Sequence, residues 1–230
     1  MAKNNPPSLV QKFVGEGVGT YLLVTIVIAA YFMAVATNAS SLTYAVVYGA
    51  TLAMVILFLG KWSRQFNPIV SLLLFVIRQQ NLATTVTAIA GQIVGALLAG
   101  LTVRPLIELA QGQVEALVPT LTPDAVPLSL VTTVEGFGIV FLLLAYVWVA
   151  NNKDEKAMDL LPWLAGLSVL PGAVVGMVVS GAALNPVRVL GPALIAGGDA
   201  WAHHWVFWVG PLIALLVVAV LVGTMNKSDK

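Results

Sequence analysis

The sequence predicts an all-α integral membrane protein, in which six transmembrane helices and two re-entrant half-helices form an inverted repeat within one domain, 1–230. Of the 230 residues, 59% are apolar and 9% charged, with a mean hydropathy of +0.95. A soluble domain has about a quarter of its residues charged. Six apolar runs can each cross the roughly 30 Å hydrocarbon core. Two Asn-Pro steps, at Asn67 and Asn185, lie 118 residues apart (185 minus 67).

The six predicted spans are 9–35, 42–59, 82–103, 128–150, 160–182 and 201–222. Polar and turn-forming residues separate them, and the loop after the third span is predicted to begin at Arg104. The first run is too long for a signal peptide and contains Glu16, so we interpret it as a span. Counting basic residues in alternate loops indicates cytoplasmic termini, in the cell membrane, because only Arg104 and Arg188 fall on the external side. The others are Lys3, Lys12, Lys61, Arg64, Arg78, Lys153, Lys156, Lys227 and Lys230.

The two halves of the chain, about 9–103 and 128–222, repeat each other. Gly91 and Gly210 stand 119 residues apart (210 minus 91), as do Glu16 and Glu135 (135 minus 16). Each half contains three spans, an odd number, so the second half is inverted relative to the first. Inverted repeats place their binding sites near the midplane, often on interrupted helices.

The Asn-Pro steps predict two short helices. Asparagine is a favoured N-cap, and proline is favoured at the first helical position, which predicts starts at Asn67-Pro68 and Asn185-Pro186. The runs 67–77 and 185–196 reach roughly 16–18 Å at 1.5 Å per residue, about half the hydrocarbon core. They follow loops on opposite sides, so their N-termini are predicted to meet near the midplane. Two unrelated loop turns would explain neither the register nor the apolar continuation.

The meeting of two helix N-termini has a chemical consequence. Each carries about half a positive charge, so the pair disfavours cations and hydronium. The Asn67 and Asn185 amides can donate hydrogen bonds to a neutral molecule, in a pore that passes water and interrupts proton hopping. Arg188 lies one turn beyond Asn185, where it would narrow the external opening and repel cations. The alternative is an interfacial arginine that snorkels to water.

Glu16 and Glu135 are the acidic residues placed well inside the predicted spans. We expect each to accept hydrogen bonds from backbone N–H groups of the re-entrant loop in its own half, since no water is present there to do so. A proton relay is the alternative for intramembrane carboxylates.

Several classes of function are disfavoured. The chain has no cysteine for disulfides or thiolate sites. The adjacent His203 and His204 point in different directions on a helix and make a poor metal pair. A net charge of +1 without basic clusters disfavours nucleic acid. No nucleophile–base pair stands out, so we expect no enzyme, no cofactor and no bound metal.

The chain resembles the aquaporin (major intrinsic protein) family, in a prokaryote-like form, over nearly its whole length. The resemblance implies a right-handed six-span bundle with two half-helices, a pore in every subunit and usually a homotetramer in lipid. It also implies that Gln92 supports the structure beside the two glutamates. It rests on the segments Gly15-Glu16-Gly17-Val18-Gly19-Thr20, Phe66-Asn67-Pro68-Ile69-Val70-Ser71, Gly91-Gln92, Ser180 to Arg188 and Trp205 to Pro211.

The resemblance also implies an outer constriction, made here by Tyr48, Ala173, Ala182 and Arg188, with Val47 as the alternative to Tyr48 if no gap is allowed. Two alanines at this position should make the mouth wider and less polar than a strict water filter. The third residue of each Asn-Pro box is normally Ala, but here it is Ile69 in the first and Val187 in the second. Gln65 stands where a His is common, and Arg64 adds a charge near the cytoplasmic mouth.

These features predict a passive channel for water that excludes protons and ions, and the two filter alanines leave leakage of small neutral solutes such as glycerol open. Val189, Ala193 and the Phe207-Trp208 pair resemble the water branch of the family. The alternatives are an aquaglyceroporin-type channel for glycerol or a similar solute, a proton-coupled transporter using Glu16 or Glu135, and a structural membrane protein closed by Ile69 and Val187.

Overall fold

The computed structural model describes residues 6–109, 126–152 and 155–225, and every regular element in this part of the chain is a helix. Six helices are long and apolar enough to cross a membrane, counting Gly198–Thr224 as one across a short break. This confirms the predicted all-α class and its six spans. The helices are α1 Leu9–Ala36, α2 Ser41–Leu59, α3 Pro68–Val76, α4 Leu82–Leu109, α5 Leu128–Asn152, α6 Glu155–Ser180, α7 Pro186–Ala196, α8 Gly198–His203 and α9 Val206–Met225.

Side-chain caps fix the helix starts that matter for the site. Ser8 begins α1 with a capping box and Ser40 caps α2. Asn67 and Asn185 cap α3 and α7, and in both cases proline follows at the first helical position. At 1.5 Å per residue, the 9 residues of α3 and the 11 of α7 reach about 14 and 17 Å, so neither can span a bilayer.

The structure corrects three predicted boundaries. The loop expected from Arg104 is wrong at its start, because α4 continues through Pro105 to Leu109, with Arg104 Nε 2.9 Å from Glu108 Oε1 one turn on. The rest of that loop, 110–125, lies outside the described residues. The fifth span ends at Ser180 rather than 182, since the next residues take positive φ angles. The sixth begins inside α8, and α9 follows after a turn.

Glycines bring the long helices into backbone contact at equivalent places in the two halves. A Cβ atom on Gly91 of α4 would lie 2.4 Å from the carbonyl oxygen of Phe13 in α1. One on Gly210 of α9 would lie 1.9 Å from that of Thr132 in α5. Both residues of the second pair stand 119 positions after their counterparts (210 minus 91, 132 minus 13). Close approach at small residues is how membrane helices pack, and the matched contacts support the proposed duplication.

Candidate pore and external filter

The N-termini of α3 and α7 meet through a reciprocal pair of hydrogen bonds. The Asn67 amide donates from Nδ2 to the carbonyl oxygen of Leu184 at 2.9 Å. The Asn185 amide donates from Nδ2 to the carbonyl oxygen of Phe66 at 2.8 Å. Each asparagine thus contacts the residue that precedes the other, so two segments 118 positions apart in sequence are joined at one place.

Local backbone geometry holds the two asparagines in matching poses. The side-chain oxygen of Asn67 accepts from the N–H of Ile69 at 3.0 Å. That of Asn185 accepts from the N–H of Val187 at 3.3 Å. The preceding residues, Phe66 and Leu184, have φ angles of 52° and 51°, a conformation that non-glycine residues rarely adopt. The same strain at both places indicates that the surrounding structure imposes this turn.

Each asparagine amide keeps a donor for a solute. An amide nitrogen carries two hydrogens, and one of them is used in the bond across the pair. Among the described residues, no second acceptor is recorded for either Nδ2 atom. The two asparagines also retain a small exposed fraction, 4% for Asn67 and 2% for Asn185. A hydrogen-bond acceptor that reached this point could therefore bind two N–H groups held in fixed directions.

The variant third residues of the boxes do not disrupt this arrangement. Ile69 and Val187 are both 0% exposed and lie in hydrophobic clusters. Their bulk packs against neighbouring helices, while their N–H groups bind the asparagine side chains. Pro68 and Pro186 are also buried at the first helical positions.

Glu16 of α1 binds the loop that leads into α3. Its carboxylate accepts from the backbone N–H of Gln65 at 3.0 Å and of Phe66 at 2.7 Å. It also accepts from the Ser63 hydroxyl and, at 2.7 Å, from Nε2 of Gln92. Gln92 Nε2 lies 2.9 Å from Ser71 Oγ, so it links the glutamate to the first turn of α3.

Glu135 of α5 does the same in the second half. It accepts from the N–H of Ala183 at 2.9 Å, from that of Leu184 at 2.6 Å, and from the Ser180 hydroxyl at 2.5 Å. Both oxygens of each glutamate are thus occupied by donors. The backbone donors are equivalent in the two halves, because 183 and 184 stand 118 positions after 65 and 66.

Arg188 lies against two tyrosine rings. Its guanidinium carbon is 5.2 Å from the ring centroid of Tyr31 in α1 and 5.7 Å from that of Tyr44 in α2. The side chain is 2% exposed. Within the described residues, none of its three guanidinium nitrogens has a hydrogen-bond partner. Its N–H groups are therefore not used by the part of the protein seen here.

The predicted filter residues are brought to the same region. Tyr48 donates its hydroxyl to the carbonyl oxygen of Ala183 at 2.9 Å, and the alternative Val47 is half-buried. Ala173 and Ala182 are fully buried in the cluster that contains Tyr48. Sequence reasoning missed Tyr31 and Tyr44, which make the aromatic contacts with Arg188. A signal for Tyr44 was present, because residues four apart share a helix face.

Arg64, His203 and His204 make their hydrogen-bond contacts outside the asparagine pair and the filter. The Arg64 side chain donates to the carbonyl oxygens of Gly60 at 2.7 Å and Met158 at 3.1 Å, so it joins the end of α2 to α6. His203 and His204 contact carbonyl oxygens of their own turn. No group of three or more candidate metal ligands occurs among the described residues.

Comparison with known proteins identifies the family. Residues 3–222 match the model of the major intrinsic protein family. The chain belongs to the major intrinsic protein family. Membership supports a passive channel for water or small neutral solutes.

The chain is similar both to proteins named as aquaporins and to one named as a glycerol uptake facilitator-like protein. The chain is 30% identical to Aquaporin A of Dictyostelium discoideum over 95% of its length and 79% of that protein. It is 34% identical to Aquaporin-8 of Mus musculus over 84% of its length and 74% of that protein. It is 26% identical to Glycerol uptake facilitator protein-like 6 of Lactiplantibacillus plantarum (strain ATCC BAA-793 / NCIMB 8826 / WCFS1), over 95% of its length and 100% of that protein.

A solved structure shares the fold. The aquaglyceroporin from Plasmodium falciparum superposes with a TM-score of 0.75 at 22% identity, covering 92% of this chain and 94% of that one. At this identity the likeness shows the fold alone. Together with the family match, it confirms the aquaporin-like fold class that the sequence predicted.

Proposed function

We propose that the protein is a passive water channel that excludes protons and ions. The observation that carries this proposal is the reciprocal bonding of Asn67 and Asn185. Each amide uses one hydrogen to hold the other half and leaves one for a passing molecule. A water molecule bound there through its oxygen points both of its own hydrogens away from the site, which interrupts a hydrogen-bonded chain along which protons could hop.

Electrostatics supports the exclusion of cations. The N-termini of α3 and α7 face each other, and each contributes about half a positive charge. Arg188, three residues after Asn185, adds a full charge on the external side. A cation would meet positive potential at two successive points, whereas water and other neutral molecules would not.

The residue roles follow from these contacts. The two Asn-Pro boxes form the centre of the pore, with Ile69 and Val187 as packing residues behind it. Glu16, Glu135 and Gln92 satisfy the backbone N–H groups of the loops before the half-helices, which favours a structural role over a proton relay. Tyr48, Ala173, Ala182 and Arg188 form the external filter.

The setting of the channel is also proposed. The many exposed Leu, Val and Phe side chains of the long helices need lipid or other copies of the chain to cover them. We place the protein in the cell membrane with cytoplasmic termini, on the distribution of Lys and Arg, and as a homotetramer, on the family resemblance. Chemical cross-linking of the purified protein should give a series of bands ending at four subunits, and a series ending elsewhere would contradict the tetramer.

A second candidate is a channel for glycerol or a similar small neutral solute. It is favoured by Ala173 and Ala182, because these two side chains are small at positions where larger ones would narrow a strict water filter. Glycerol permeability close to that of water would support this candidate over the first.

The test is osmotic shrinkage of proteoliposomes. Liposomes containing the protein should shrink several times faster than empty ones, and equal rates would overturn the proposal. The Arg188→Val variant should still conduct water while its glycerol permeability rises, because the long arginine side chain no longer narrows the mouth. Arg104→Val, the same change at an exposed arginine, is the control and should behave like the natural protein. Unchanged selectivity in Arg188→Val would remove Arg188 from the filter.

A further inference from the structure

Three tyrosines form a continuous row beside Arg188. The rings of Tyr31 and Tyr44 are 6.0 Å apart with an interplanar angle of 73°. Those of Tyr44 and Tyr48 are 6.0 Å apart at 62°. Both are edge-to-face arrangements, which fix the rings relative to one another. The row joins α1 to α2, and its end contacts the loop that carries Ala182.

We propose that Tyr31 and Tyr44 are positioning residues for Arg188, and that they hold its guanidinium through contacts with their rings. This inference rests on the proposed function, since it concerns the filter of the same pore. The two contacts, at 5.2 and 5.7 Å, lie within the roughly 6 Å range of a cation–π interaction. Such contacts strengthen when the cation is removed from water, as Arg188 is here.

A ring contact orients the arginine without using its donors. A guanidinium carries five N–H groups and no acceptor. A hydrogen-bonded anchor would occupy some of these groups, whereas an aromatic face occupies none. Within the part of the chain that the structure describes, the clamp made by Tyr31 and Tyr44 uses none of these N–H groups.

Two tyrosine hydroxyls bind the loop that leads into α7. Tyr44 donates to the carbonyl oxygen of Ala182 at 3.0 Å, and Tyr48 donates to that of Ala183 at 2.9 Å. Both carbonyls belong to the loop before α7. These two bonds tie α2 to the loop before α7 and so fix Tyr44 relative to the helix that carries Arg188.

The contact between Tyr31 and Arg188 is not part of the duplicated scaffold. Glu16 in α1 and Glu135 in α5 are equivalent at an offset of 119, and the same offset from Tyr31 leads to Ala150. Features that serve the fold recur in both halves, as the glutamates and the asparagines do. Tyr31 therefore has no aromatic counterpart. Arg188 has no charged counterpart, because the equivalent position at an offset of 118 is Val70. The two residues that lack repeats contact each other.

A double-mutant cycle tests the proposal. Four proteins are compared: the natural protein, Tyr31→Leu, Arg188→Val and the double variant. The ratio of glycerol to water permeability should rise about threefold or more in Tyr31→Leu, because an unclamped arginine no longer narrows the mouth. In the Arg188→Val background the same change should have no further effect. Tyr31→Phe keeps the ring and should restore the natural ratio.

Two results would overturn the clamp: an unchanged ratio in Tyr31→Leu, or an equal change with and without Arg188, which would indicate general loosening of the bundle. The same cycle is measured by thermal unfolding in detergent, which needs no permeation. Non-additive shifts support the contact, and additive shifts refute it. Failure of the proposed function would show separately, as water flow through the natural protein no faster than through empty liposomes.

Discussion

Replacing Glu135 by glutamine tests whether the buried glutamates hold the half-helices. In Glu135→Gln the side chain keeps its size but has one acceptor oxygen instead of two. If that oxygen takes the position of Oε1, the bonds from Ser180 and Ala183 remain and the amide nitrogen faces the N–H of Leu184. Two donors then oppose each other at a site where the original distance is 2.6 Å.

The size of the effect follows from the lost bond. A hydrogen bond to a charged group contributes about 1.5–3 kcal/mol, and a buried N–H left without a partner costs about 1–3 kcal/mol. We therefore expect a loss of about 3 kcal/mol or more. At about 2–4 °C per kcal/mol for a chain of this size, the unfolding midpoint should fall by roughly 6–12 °C.

The assay is thermal unfolding of purified protein in detergent, followed by tryptophan fluorescence. Glu16→Gln should give a shift of the same size, because Glu16 makes equivalent backbone contacts. Glu108→Gln is the control: Glu108 is half-exposed and makes an ion pair with Arg104 in the same helix, so its shift should be about 1–2 °C. The structural role would be refuted if the unfolding midpoint of Glu135→Gln lay within about 2 °C of that of Glu108→Gln, since a fall of roughly 6–12 °C is expected.

Three further predictions follow from the structure and composition. Gly210→Ala should strongly destabilise the protein, because its Cβ would lie 1.9 Å from the Thr132 carbonyl oxygen. Gly223→Ala is the control: its Cβ would have nothing within 4 Å, so the change should be neutral or stabilising by up to about 1 kcal/mol. Equal unfolding midpoints for the two variants would contradict this packing. Thiol-directed mercurials should leave water flow unchanged, since the chain has no cysteine; block that a reductant reverses would count against this. A pH gradient should not drive solute uptake, and uptake that is lost in Glu16→Gln would favour the proton-coupled transporter.

The central part of the candidate pore was predictable because its signals are local or repeated. Asn67-Pro68 and Asn185-Pro186 are helix starts by residue type alone, and their spacing gave the pairing. Glu16 and Glu135 could be connected with the half-helix loops because they occupy equivalent positions in the two halves, and each half has a re-entrant loop whose backbone N–H groups need an acceptor.

The features that sequence patterns did not predict depend on how the chain packs in the folded protein. Pro105 does not end α4, which continues to Leu109. Arg64 is predicted near the cytoplasmic mouth, and this stays a prediction; that its side chain joins the end of α2 to the first turns of α6 is specified by no sequence pattern. The contacts of Tyr31 and Tyr44 with Arg188 join three separate helices; spacing along the chain indicates that Tyr44 and Tyr48 share a face of α2, but not that the rings meet Arg188.

The central claim is that the opposed Asn-Pro helix starts and Arg188 pass water and stop protons. It is tested most directly by measuring both fluxes in one preparation, with light scattering for shrinkage and an enclosed pH-sensitive dye for protons. We predict water flow several times that of empty liposomes, with proton flow equal to theirs. Proton flow that rises in step with water flow, or water flow no faster than in empty liposomes, would contradict the claim.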